Sequence, residues 1–141
     1  MAPAPETIHA SCVAVAGRGV LITGPSGSGK SALALELMSR GAGLVADDRT
    51  ILTRRGAGLV ASCPPALTGM IEARFVGLLA AAAHPPVQVA LEVDLGTRET
   101  ERLPPRRSVT RLDVDVPLLH DAGTGHFAAA ILQYLLLGRL H

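Results

Sequence analysis

The 141-residue chain contains few aromatic side chains and almost no lysine. Aromatic residues make up 2% of the sequence, and Lys30 is the only lysine, because every other Lys/Arg position is arginine. With so few rings to stack on bases and a net charge of +1, we expect no nucleic-acid partner. A chain that avoids lysine elsewhere but has one in a glycine-rich loop indicates a need for an ammonium group there.

The sequence also lacks a long apolar run. No stretch reaches the ~18 residues that a membrane-spanning helix requires. Residues 127–137, FAAAILQYLLL, are too short to span a bilayer and are typical of a buried helix. The N-terminus has no basic region followed by an apolar one, so no signal peptide is predicted. We therefore expect a cytoplasmic protein without a membrane partner.

Cysteine and histidine do not form a metal-binding pattern. Cys12 and Cys63 lie far apart in the sequence and lack the spacing of metal ligands. We expect free thiols rather than a disulfide in a cytosolic protein. The five histidines form no close cluster, so a zinc site is not predicted.

One motif carries clear chemical information. The pattern G-x-x-x-x-G-K-[ST], the signature of a phosphate-binding P-loop, is fulfilled at every fixed position. Glycines let backbone N–H groups curl around phosphate oxygens, while the lysine reaches the β- and γ-phosphates and the following hydroxyl can bind Mg²⁺. The predicted nucleotide-binding residues are Gly24, Pro25, Ser26, Gly27, Ser28, Gly29, Lys30 and Ser31.

The sequence around this motif predicts an α/β fold with a mixed sheet. Residues 20–23 form a short apolar run typical of a strand, and residues 32–40 favour a helix that ends at Gly41. Hairpin signals precede and follow this unit, whereas a doubly wound fold would alternate strand and helix throughout. We expect a flexible tail over residues 1–8 and a single P-loop kinase domain over residues 9–141.

Two acidic positions are candidates for phosphotransfer chemistry. Asp47 and Asp48 end a short apolar run after the P-loop helix, where a returning strand would bring them near the phosphates. Adjacent strand residues point to opposite faces, so we expect one aspartate to face the nucleotide. Glu72 and Arg74 would share a face of a strand, where Glu72 can complete a Mg²⁺ shell and Arg74 can hold phosphate oxygens.

Taken together, these segments resemble a known family. The sequence carries His9, a hairpin, GPSGSGKS, GLVADDR, PPALTGMIEARFVGL, ERL and DVDVP, in that order. This order is similar to that of the catalytic domain of bacterial HPr kinase/phosphorylase, over nearly the whole chain. The resemblance implies a fold similar to that of phosphoenolpyruvate carboxykinase. It also suggests a short form without the family's N-terminal domain.

The same resemblance implies an activity and roles for individual residues. The family phosphorylates a serine of the phosphocarrier protein HPr with ATP and Mg²⁺, forms hexamers, and runs a phosphate-driven reverse reaction that yields pyrophosphate. By position, Asp47 would be the base for serine attack, and Lys30 would neutralise the transferring phosphoryl group. Ser31 and Glu72 would be metal ligands, His9 would lie beside the phosphate site near Asp47, and Arg102 would match a catalytic loop arginine.

The chain departs from the family pattern at two places. Phe75 stands where the family has a glycine, and a bulky residue is not expected to adopt the positive φ that glycine allows. The segment VPLLHDAGTGHF also lacks the Gly-Arg-Asn that the family links to the reverse reaction. Phosphate as a nucleophile would need a cation there, so we expect kinase activity to outweigh phosphorolysis.

Two other functions are compatible with the sequence. A P-loop kinase for a small hydroxyl compound would need a substrate pocket and a lid, and residues 98–107 can supply a lid. A regulatory module that senses ATP without turnover would depend on Lys30 but not on Asp47. A kinase would depend on both residues, since Asp47 acts on the hydroxyl and Lys30 on the phosphates.

Overall fold

A computed structural model describes residues 3–141. The strands are β1 (Glu6–Ile8), β2 (Ser11–Val15), β3 (Arg18–Thr23), β4 (Gly43–Ala46), β5 (Thr50–Arg55), β6 (Gly58–Ser62), β7 (Met70–Ala73), β8 (Gly77–Ala80), β9 (Val87–Arg98), β10 (Arg107–Arg111) and β11 (Val114–Asp121). The helices are α1 (Lys30–Ser39) and α2 (Phe127–Leu137), with a 3-10 turn at Pro65–Leu67.

The main sheet is mixed, as the sequence predicted. Its central strand order is β1-β5-β6-β9-β3-β2-β4, and β11 also pairs with β9 and with β10. Strands β3, β9 and β11 run parallel to one another, whereas β2 pairs antiparallel with both β3 and β4. The carboxyl end of β3 therefore lies beside that of β9, and the P-loop begins at this edge.

Apolar side chains cover both faces of the central strands. Along β3, Val20 and Ile22 pack toward the two helices, whereas Leu21 packs on the opposite face. This alternation follows from the two-residue period of a strand. Each fully buried aliphatic side chain contributes about 1.5–3 kcal/mol, so the P-loop rests on a firmly packed strand.

Helix α2 is the apolar C-terminal helix that the sequence predicted. Ala128, Ile131 and Leu135 are buried in the cluster that also contains the inner face of α1. At its C-terminal end, the guanidinium of Arg18 donates a 2.5 Å hydrogen bond to the carbonyl oxygen of Leu135. Within residues 3–141, no helix has the length and apolarity to cross a membrane.

Two elements differ from the sequence-based expectation. Residues 6–8, assigned to the flexible tail, form β1 and pair with β5; residues 1 and 2 lie outside the described part. Residues 109–116 alternate in a pattern that predicts one strand, but the structure has a hairpin of β10 and β11 there. Leu112 and Asp113 turn the chain with φ values of 48° and 62°. No glycine is present at this turn, so the sequence indicates it only by an interruption in the alternation of apolar and polar residues.

Strands β7 and β8 form a separate hairpin whose tip contains Phe75. Phe75 has φ 67° and its side chain is fully exposed, with a relative accessibility of 101%. Phe75 thus adopts the left-handed conformation, although a bulky residue was not expected to do so at this position. That conformation costs a residue with a Cβ roughly 1–2 kcal/mol.

We expect Phe75→Gly to raise the free energy of unfolding by about 1 kcal/mol, because glycine tolerates positive φ and the exposed ring buries no surface. Denaturant unfolding measures the change. Phe75→Ala is the matched control, since it removes the ring but keeps the strain. Equal stability of the glycine and alanine variants would show that the backbone at Phe75 is not strained.

Candidate active site

The P-loop, residues 24–31, joins β3 to α1. Gly24, Gly27 and Gly29 have φ values of 142°, 82° and 98°, a region that side chains disfavour. Gly29 caps α1 in the left-handed conformation, and its carbonyl oxygen accepts the N–H of Leu33 at 2.9 Å. The loop therefore directs the positive end of the helix toward the space above it.

The interior of the loop fits a phosphate group. A Cβ placed on Gly24 would lie 2.7 Å from the Ser28 hydroxyl oxygen and 3.2 Å from the Gly96 nitrogen, so only glycine fits. The Ser28 hydroxyl is buried and has no hydrogen-bond partner among the residues described. A buried hydroxyl without a partner is costly, and a phosphate oxygen would satisfy it.

Lys30 lies across the P-loop. Its ammonium donates hydrogen bonds to the carbonyl oxygens of Gly24 at 2.8 Å and Pro25 at 3.1 Å. These carbonyls belong to the P-loop itself, so the Lys30 ammonium is held beside the space that the loop glycines enclose. An anion in that space would attract the ammonium more strongly than neutral carbonyls do.

Asp47 connects three parts of the site. Its side chain is 6% exposed, and its Oδ1 accepts the hydroxyls of Ser31 at 2.6 Å and Ser11 at 2.7 Å. Its Oδ2 accepts the backbone N–H of Glu72 at 3.0 Å. The carboxylate thus joins the P-loop helix, strand β2 and the β7–β8 hairpin, as expected for the residue at the end of β4.

Asp48 faces a different environment. Its φ of 67° bends the chain directly after β4, and its side chain lines the cavity above the P-loop. The Nδ1 atom of His9 lies 4.0 Å from Asp48 Oδ1, and both side chains are 68% exposed. The carboxylate recorded in contact with His9 is therefore that of Asp48, and the predicted role of His9 beside Asp47 stays a prediction.

A cavity of about 480 Å³ opens between the P-loop, α1 and the β7–β8 hairpin. Glu72, in β7, and Arg74, in the turn that follows β7, both line it. The shared strand face predicted for them is not formed, because β7 ends at Ala73. The remaining lining residues are Ser26, Gly27, Gly29, Lys30, Ser31, Ala32, Leu35, Asp48, Ala73 and Val76. Predicted phosphate-binding and metal-binding residues therefore line one cavity. Asp47 does not line it and is buried behind its wall, where it contacts Ser31 and the backbone of Glu72.

Arg102 does not join this group. It is exposed in the loop between β9 and β10, and the cavity lining drawn from residues 3–141 does not include it. Its neighbours Glu101 and Leu103 line a different cavity, together with Arg139 and His141 near the C-terminus. Arg102 therefore lies apart from the cavity beside the P-loop, and its catalytic role stays a prediction.

A buried ion pair supports the strand that leads into the P-loop. Glu92 is 2% exposed and accepts two hydrogen bonds of 3.0 Å from the guanidinium of Arg111. The hydroxyl of Thr23, the last residue of β3, donates to the same carboxylate at 3.1 Å. Hydrogen bonding to Glu92 raises the pKa of Arg111, so the guanidinium stays charged beneath the loop.

The donor set suits Mg²⁺. Ser31 and Glu72 offer oxygen atoms only, and Mg²⁺ prefers a few such protein ligands combined with water and substrate phosphates. The Glu72 side chain is exposed to the cavity, while its backbone N–H is held by Asp47. The residues present therefore fit both a phosphate chain and a magnesium ion.

Comparison with known proteins defines the class and then the family. The structure is similar to that of the Hpr(Ser) kinase/phosphatase from Coxiella burnetii, with a TM-score of 0.75 and 27% sequence identity. The match covers 93% of this chain and 88% of that one. A protein-family model of the HPr Serine kinase C-terminal domain matches residues 2–103. The chain belongs to this family, which confirms the resemblance inferred from the motifs.

Similar sequences carry related names. The HPr kinase/phosphorylase of Bordetella petrii is 55% identical over 74 residues, and that of Burkholderia lata is 51% identical over 74 residues. The matched segment covers 52% of this chain but 24% and 23% of those two proteins. The chain thus matches about a quarter of the length of these relatives.

Proposed function

We propose that the chain is an ATP- and Mg²⁺-dependent serine kinase whose acceptor is the phosphocarrier protein HPr. The observation that carries this proposal is the contact of Asp47 with both Ser31 of the P-loop and Glu72 of the cavity wall. From this position behind the cavity wall, the carboxylate would act between the nucleotide phosphates and an acceptor hydroxyl that enters the cavity. The names of the similar proteins suggest the acceptor.

The P-loop residues would hold the triphosphate. Backbone N–H groups and the partnerless Ser28 hydroxyl would donate hydrogen bonds to phosphate oxygens. Lys30 would move its ammonium from the loop carbonyls to the transferring phosphoryl group and neutralise its charge. Ser31 and Glu72 would ligate Mg²⁺, which neutralises phosphate charge when it is bound.

Asp47 would act on the acceptor serine. The seryl proton moves to the carboxylate as the serine oxygen bonds to the γ-phosphorus, and the bond from that phosphorus to ADP breaks. His9 would assist from the neighbouring position, because its ring faces Asp48 at the open side of the site. Arg102 takes no part in this proposal.

The proposal extends to partners and assembly. HPr would approach from the open side of the cavity, where Asp48 and the β7–β8 hairpin are exposed to solvent. With HPr as the acceptor, the cytoplasm is the proposed place of action. A hexamer, implied by the family resemblance, remains a prediction that light scattering on the purified chain tests.

We predict that the reverse reaction is weak. The loop between β11 and α2, residues 122–126, contains no arginine, and the nearby Arg98 lies 4.0 Å from Asp121. A phosphate nucleophile at this loop would therefore meet a cation already paired with a carboxylate. Pyrophosphate release from seryl-phosphorylated HPr should be much slower than the forward reaction. Efficient release by the pure protein would refute this prediction.

Transfer of label tests the proposed function directly. The purified chain is incubated with labelled ATP and HPr, with Mg²⁺ or with a chelator. We expect label on an HPr serine only when Mg²⁺ is present. Binding of ATP without label on HPr would favour the ATP-sensing or the small-molecule alternative.

A further inference from the structure

Ser11 is a buried hydroxyl that the reaction described above does not use. It is the first residue of β2, is 0% exposed and is followed by the apolar sequence CVAV. Its hydroxyl donates a 2.7 Å hydrogen bond to Asp47 Oδ1 across the pairing of β2 with β4. The register of that pairing shifts between Cys12 and Val13, directly after this contact.

The two oxygens of Asp47 have unequal environments. Oδ1 accepts two hydroxyl donors, from Ser11 and Ser31, whereas Oδ2 accepts one backbone N–H, from Glu72. A carboxylate oxygen offers about two lone-pair sites, so Oδ1 is filled and Oδ2 retains one. Oδ2 is therefore the atom with capacity to accept a proton.

The two hydroxyl donors, Ser11 and Ser31, also differ in position and in proposed role. Ser31 lines the cavity and would bind Mg²⁺ through the same oxygen whose proton it gives to Asp47. Ser11 touches Asp47 but belongs to β2, beneath the cavity. Any movement of Ser31 on metal binding would loosen the carboxylate unless a second donor held it.

We propose that Ser11 is a positioning residue that fixes Asp47 Oδ1, so that Oδ2 is the oxygen that takes the seryl proton. The inference rests on the proposed kinase function and adds the orientation of its base. Misplacing a reacting group by a fraction of an ångström is costly, so the effect falls on the chemical step rather than on nucleotide binding.

The test compares Ser11→Ala with Thr50→Val. Thr50 is also 0% exposed, and its hydroxyl donates to the carbonyl oxygen of Ala10 at 2.9 Å, one residue from Ser11. Both variants remove one buried hydrogen bond and should lose similar stability. We expect Ser11→Ala to lower kcat about tenfold with the KM for ATP unchanged, and Thr50→Val to leave kcat unchanged.

Two further variants separate positioning from general packing. Ser11→Thr keeps the hydroxyl and should restore most of the rate. Placed in Asp47→Asn, Ser11→Ala should lower the residual rate no further, because its effect passes through Asp47. An equal loss of kcat in Ser11→Ala and Thr50→Val, or an additional loss in the double variant, would overturn the proposal.

Crystal structures of the two single variants supply a readout that is independent of activity. The Asp47 carboxylate should rotate in Ser11→Ala and keep its orientation in Thr50→Val. An unmoved carboxylate in Ser11→Ala would refute the role of Ser11 even if HPr proved not to be the acceptor. Absence of transfer by the wild-type chain would instead contradict the proposed function.

Discussion

Replacement of Lys30 by methionine is expected to lower phosphoryl transfer about a thousandfold, the scale for losing one charge-stabilising group at a transferring phosphoryl. Methionine keeps much of the length and apolar stem of lysine but cannot donate to phosphate oxygens. No other lysine exists in the chain to take its place. Steady-state transfer to HPr, together with ATP affinity, measures the effect.

Lys30→Arg is the matched control for charge. A guanidinium keeps the positive charge but presents it in a planar fork instead of at a point, so only part of the rate should return. The free energy of unfolding should change little in both variants, because within residues 3–141 the ammonium of Lys30 donates hydrogen bonds to loop carbonyls alone. If Lys30→Met transferred phosphate at the wild-type rate, the P-loop would not be the phosphate site.

Asp47→Asn is expected to lower transfer by about 10²- to 10⁴-fold, the range for losing a general base. The amide cannot take the seryl proton. It also places N–H donors among three groups that all donate to Asp47, namely Ser11, Ser31 and the Glu72 backbone. In at least one of those contacts, an N–H of the new amide would face another hydrogen-bond donor, so the free energy of unfolding also falls. It must therefore be measured together with the transfer rate.

Asp48→Asn distinguishes the two neighbouring carboxylates. Asp48 is exposed and its side-chain contact is with the Nδ1 atom of His9 at 4.0 Å, so we expect a smaller loss of transfer than for Asp47→Asn. Circular dichroism shows whether each variant remains folded, and a binding measurement shows whether it still binds ATP. If Asp48→Asn were the more damaging change, the roles assigned to the two aspartates would have to be exchanged.

The P-loop and its flanking elements could be predicted because their signals are local. Fixed glycines, one lysine and an apolar run define the strand, loop and α1 within some twenty residues. The position of Asp47 was also predictable, since a strand that returns from α1 must end near the phosphates. Helix α2 follows from its apolar composition.

The remaining features depend on contacts between distant segments. β1 is three residues long, and its pairing with β5 leaves no pattern in the sequence. The partnership of His9 with Asp48 depends on a left-handed residue that is not glycine. The contact of Ser11 with Asp47 depends on the register of β2 and β4; the only hint was a polar residue opening an apolar strand.

The most direct test of the kinase proposal is to map label on HPr after incubation with Mg²⁺ and labelled ATP, comparing the wild-type chain with Asp47→Asn. We expect label on one HPr serine with the wild-type chain and almost none with the variant, although both bind ATP. Label that persists undiminished in Asp47→Asn would contradict the role of Asp47. ATP binding by the wild-type chain without labelled HPr would contradict the proposed function.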